Sequence, residues 1–70
     1  MMPLTLAGIG EENIIRKIGG RQEVRAHLEN LGFVVGGAVT VVSAIGGNVI
    51  VNVKDSRIAV SREMAQKIMV

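Results

Sequence analysis

Seventy residues suffice for one small domain, which buries only about 60% of its unfolded surface and so needs a closely packed core. With no cysteine the chain has neither a disulfide nor a thiolate zinc site, and with Phe33 as its one aromatic it lacks the stacking platforms of single-strand nucleic-acid binders. Eight Lys and Arg against six Asp and Glu leave a net charge of +2, scattered without the basic cluster that marks a dedicated nucleic-acid binder.

The opening "MMPLTLAGIGEEN" has no basic region and turns acidic quickly, so no cleavable leader is expected. "NIIRKIGG" (13–20) reads as a strand closed by a Gly pair. Its alternation is irregular, and a bulge would let Ile15 and Ile18 both face the core. "RQEVRAHLENLG" (21–32) reads as a helix with Val24, Leu28 and Leu31 in one apolar stripe and Glu23 in the first turn. Gly32 is placed to stop that helix in the left-handed conformation, which would bring Phe33 against Leu28.

The period then changes. "AVTVVSAI" (38–45) alternates Val39, Val41, Ser43 and Ile45 on one face with Ala38, Thr40, Val42 and Ala44 on the other. "NVIVNVK" (48–54) sets Val49, Val51 and Val53 on one face, and Gly46-Gly47 between the two runs suits a tight hairpin turn. "DS" (55–56) predicts a second turn into "RIAV" (57–60). Ser61 then caps a last short helix, "REMAQKIMV", whose Met64, Ala65, Ile68 and Met69 cover one end of the sheet. Several short strands with tight turns point to a small barrel.

Residues 30–53 contain no charge, and their length suits a membrane span of about 20 apolar residues. Gly32-x-x-x-Gly36 adds the spacing of close-packed membrane helices. Against a span stand the density of Val, Ile and Thr, the Gly pairs, Asn48 at depth and a period of two. The stretch is read as a soluble hairpin with no membrane insertion.

The inventory for catalysis is thin: one histidine, one aspartate, three serines and no nucleophile–base arrangement. Glu11 and Glu12 are adjacent in a loop, where carboxylates are usually solvated. His27 lies one turn after Glu23, a weak metal pair, since structural zinc takes four protein ligands. A symmetric homodimer would join two such pairs, which leaves a transition metal at an interface open; otherwise no cofactor is expected. "GGRQEV" sets Gly and Arg at a helix start, where anions bind, but no phosphate-loop motif is present.

The order and spacing of these pieces resemble the FeoA family of small proteins of bacterial ferrous-iron uptake. The resemblance runs through Pro3-Leu4, Gly10-Glu11 into "IIRKIGG", "EVRAHLENLGFVVGGAVTVV" and "RIAVSREMAQKIMV". Val35 departs from it, standing where the family usually has Pro before Gly36, and the loop at Gly46-Gly47 is shorter than is common.

The resemblance implies a single mainly β domain over residues 1–70. This is an SH3-like barrel with one helix after the first strand and a short C-terminal helix. It implies a cytoplasmic protein that is not an enzyme, acting on FeoB, a membrane transporter with a GTP-binding domain. The expected contact surface is the outer helix face at Arg21, Arg25 and Glu29, with Arg57 unplaced. The alternative is an iron-linked regulatory module like the C-terminal SH3-like domain of iron-dependent repressors, working by protein–protein interaction. The chain has no room for the DNA-reading helix-turn-helix of such repressors.

Overall fold

The computed structural model describes residues 1–70. In chain order these form a 3-10 turn (Leu4–Leu6), β1 (Glu12–Ile14), β2 (Lys17–Ile18), α1 (Gln22–Asn30) and β3 (Ala38–Ile45). There follow β4 (Asn48–Val53), β5 (Ser56–Ser61), α2 (Arg62–Ala65) and β6 (Ile68–Met69). One antiparallel sheet has the order β1-β3-β4-β5, and β2 pairs with β6 in a second. Fourteen apolar side chains form the core between them, and no polar or charged side chain is buried.

The β3–β4 hairpin turns at Gly46-Gly47, where Ile45 faces Asn48. Gly46 alone takes a positive φ, of 58°, as at the first central position of a type II′ turn. Opposed residues share a face in an antiparallel pair. An unbroken ladder from this turn would therefore set Val41 against Asn52 and Val39 against Lys54. A register shift between Val41 and Ser43 prevents that mismatch. With Val42 as the extra residue, Val41 meets Val51 and Val39 meets Val53, and all four are buried. The shift moves Ile45 off the face of Val39 and Val41, where strict alternation had put it, and leaves it 64% exposed.

The expected strand over 13–20 is divided. β1 pairs with β3, while β2 pairs with β6. The change of partner falls at Ile15 and Arg16. The N–H of Ile15 donates to the Gly37 carbonyl at 2.9 Å, and the N–H of Arg16 donates to the Met69 carbonyl at 2.8 Å. Ile15 and Ile18 are both buried, as expected, but a crossing between sheets achieves this and not a bulge in one ladder.

The helix stop is a Schellman motif. Phe33 N–H donates to Leu28 O at 2.9 Å, Gly32 N–H donates to Glu29 O at 2.9 Å, and Gly32 has φ +108°. Val34 to Gly37 then form a β-turn closed by Gly37 N–H to Val34 O at 3.0 Å. Val35 and Gly36 occupy its centre, and Gly36 has φ +88°, the type II pattern.

Two further expectations are corrected. The β4–β5 turn is Lys54-Asp55, not Asp55-Ser56: Val53 pairs with Ser56, and Lys54 and Asp55 carry φ 49° and 63°. The last helix is only Arg62–Ala65, capped as expected by Ser61 Oγ accepting from Met64 N–H at 3.2 Å. Beyond it the chain extends as β6. There the paired backbones of Met2 and Val70 (2.8 and 2.9 Å) tie both ends of the chain into the barrel. An extended C-terminus gives β2 the only hydrogen-bonding partner it has, which a helix could not.

Candidate functional site

The charged residues singled out from the sequence gather on α1. Arg21 is its N-cap residue, and Arg25 and Glu29 follow at successive turns. All three are exposed, because Leu28, with half-buried Val24 and Leu31, takes the opposite stripe to the core. Gln22, Arg25, Ala26 and Glu29 line a shallow groove of about 210 Å³ along this outer face. The three side-chain hydrogen bonds of the chain all lie elsewhere, so this row of charge is not consumed internally.

Glu23 and His27 lie one turn apart on α1, both exposed. No group of three or more His, Cys, Asp or Glu forms around them or elsewhere in the chain. Within one copy the pair offers a divalent ion at most two ligands, too few for a structural site.

Arg57 stands apart from the helix row. It lies on β5, where its Nε donates to Asn52 Oδ1 across the strand pair at 3.4 Å. It ends a polar row that crosses the four-stranded sheet on its outer face: Glu12 faces Thr40, Thr40 faces Asn52, and Asn52 faces Arg57. Beside this row Glu12, Ala38, Thr40, Asn52, Val53, Lys54 and Asp55 line an open groove of about 520 Å³. Sequence reasoning missed this groove. Thr40 and Asn52 were legible as outward residues on their own strands, but only the shift at Val42 brings them opposite each other.

With these faces mapped, comparison with known proteins is direct. Residues 2–70 match the FeoA domain family. A Methanocaldococcus jannaschii protein named Fe(2+) transport protein A is 39% identical over 70 residues, all of this chain and 85% of that protein. A crystal structure described as iron uptake regulatory protein (FeoA) superposes with a TM-score of 0.88 at 28% identity, covering 97% of this chain and 90% of that one. Stenotrophomonas maltophilia FeoA, solved with zinc and described as a prokaryotic SH3 domain protein, gives 0.79 at 21% identity over 99% and 88%. A manganese-dependent transcriptional repressor gives 0.85 at 14% identity; the match takes in 94% of this chain but only 38% of the repressor, a likeness of fold alone. The barrel is thus SH3-like, and by family match and sequence identity along its length the chain belongs to the FeoA family.

Proposed function

We propose that the chain is a small cytoplasmic accessory protein of ferrous-iron uptake, which binds the cytoplasmic part of the FeoB transporter and modulates it. The observation that carries this reading is the 39% identity to an Fe(2+) transport protein A along all 70 residues. The fold agrees with a role exercised through a partner, since no helix is long and apolar enough to cross a membrane. The docking surface is the outer face of α1, where Arg21, Arg25 and Glu29 present unpaired charge. On this reading the protein acts by binding and performs no catalysis itself.

The test is a titration of the FeoB cytoplasmic domain with this protein. Saturable binding in the micromolar range supports the proposal; no binding up to about 1 mM, equivalent to a gain of only about 4 kcal/mol, overturns it. The superposition on a repressor module favours one rival, a regulatory protein that engages a repressor. A pull-down that recovers a repressor and no transporter would decide for the rival.

A further inference from the structure

Most strand edges of this barrel are short or broken. β1 has three residues and pairs β3 only over Ala38–Thr40, the remainder of β3 follows the bulge at Val42, and β2 and β6 have two residues each. β5 is the exception. It has six residues, ends the four-stranded sheet, and pairs with β4 in unbroken register from Ser56 to Ser61. Natural edges of this length are usually blunted by proline, lysine or a bulge, and β5 has none of these.

The direction of its free backbone groups follows from the pairing. Val53 and Ser56 close the two-residue turn, and Arg62 N–H donates to Gly47 O at 2.9 Å at the far end. Alternate residues of an antiparallel ladder bond to the same neighbour. Ser56, Ile58, Val60 and Arg62 therefore turn their backbone groups toward β4, and Arg57 and Ala59 turn theirs to the open side. Arg57, the one charge on the strand, leans the other way, over β4 to Asn52. The edge is left bare.

We propose that β5 pairs antiparallel with β5 of a second copy of this chain about a twofold axis at Ala59, joining two four-stranded sheets into one. The segment is complementary to itself. With Ala59 on the axis, Ala59 meets the second copy's Ala59 and Arg57 meets the second copy's Ser61. Arg57, the one charge on the strand, then faces an uncharged residue, and no like charges are opposed. A register centred on Arg57 would instead oppose like charges, which destabilises a strand pair. The contact is narrow, well under the roughly 1,200 Å² of stable interfaces, so the dimer forms with Kd on the order of 0.1–1 mM.

Sedimentation equilibrium of the purified chain between about 10 µM and 1 mM tests this range. The expected result is a weight-average mass that rises toward the dimer, with the Arg57 and Ala59 amide resonances shifting in step. Ala59→Pro removes an outward N–H without costing a bond to β4, and should stay monomeric. Ala59→Glu sets like charges on the axis while keeping the backbone, and should weaken association at least tenfold even if the proline variant folds poorly. A wild-type chain monomeric throughout, undiminished association of Ala59→Glu, or shifts confined to another face would each overturn the proposal.

Discussion

Phe33 donates its backbone N–H to the Leu28 carbonyl at 2.9 Å, and both side chains are fully buried. One turn of backbone thus ends the helix and delivers the only aromatic side chain to the core. Gly32 makes this possible by taking φ +108°, a conformation that costs an L-residue about 1–2 kcal/mol. Space is not the obstacle: a Cβ there would meet Lys54 Cδ at 3.5 Å, an ordinary contact. Gly32→Ala should therefore lose about 1–2 kcal/mol in urea denaturation with an unchanged m-value. A midpoint equal to wild type would mean the stop does not depend on glycine.

The bulge at Val42 makes a stronger demand. If the chain kept that residue in an unbroken ladder, the turn at Gly46-Gly47 would set Val41 opposite Asn52 and Val39 opposite Lys54, on the outer face. Each valine removed from the core forfeits about 1.5–3 kcal/mol. The two together approach the whole stability of such a domain, at about 0.05–0.15 kcal/mol per residue. Deleting Val42 takes out the extra residue and keeps Val41 opposite Val51 and Val39 opposite Val53, so that variant should keep a cooperative thermal transition. Circular dichroism showing the deletion variant unfolded would refute the register argument.

The sequence signals that proved reliable were local ones. Gly32 and Phe33 marked the end of α1, Ser61 marked the cap of α2, and the valines of β4 alternated cleanly. The misjudged features depend on partners distant in sequence. Nothing within 13–20 shows that Ile14 belongs with Ala38 and Ile18 with Ile68. "KIMV" has helical composition but is drawn into a strand because β2 needs a partner. The turn after β4 falls on Lys54 and Asp55, with the lysine at a positive φ it seldom takes, because the pairing of Val53 with Ser56 outweighs local preference. The bulge was legible in principle, since the two valine faces conflict across a two-residue loop. The α1 charges were readable from helical spacing, whereas the sheet groove required the register.

Val35 occupies the first central position of the turn closed by Gly37 N–H and Val34 O, and it is 65% exposed. That position has φ near −60° in a type II turn and favours proline. Its N–H enters none of the backbone hydrogen bonds of the loops and turns. Val35→Pro should therefore restrict the unfolded chain at no native cost and add about 0.4–1 kcal/mol. For a domain of this size that is a rise in Tm of roughly 2–8 °C, readable by calorimetry. A lower Tm would show that valine holds the turn in a conformation proline cannot adopt.

The last prediction separates the two exposed faces. If the outer face of α1 docks on the transporter, Arg21→Glu with Arg25→Glu should weaken binding at least tenfold, about 1.4 kcal/mol. Both side chains are exposed and make no internal hydrogen bond, so stability should stay within about 0.5 kcal/mol of wild type. Loss of binding at constant stability therefore reports on the interface and not on folding. Wild-type binding should also weaken as salt rises, because exposed charge pairs are screened beyond about 10 Å at 0.1 M. Glu12→Lys, in the groove across the sheet, serves as the comparison and should leave affinity within twofold. The reverse pattern, with Glu12→Lys disruptive and the arginine pair silent, would move the docking surface from the helix to the row that Glu12, Thr40, Asn52 and Arg57 draw across the sheet.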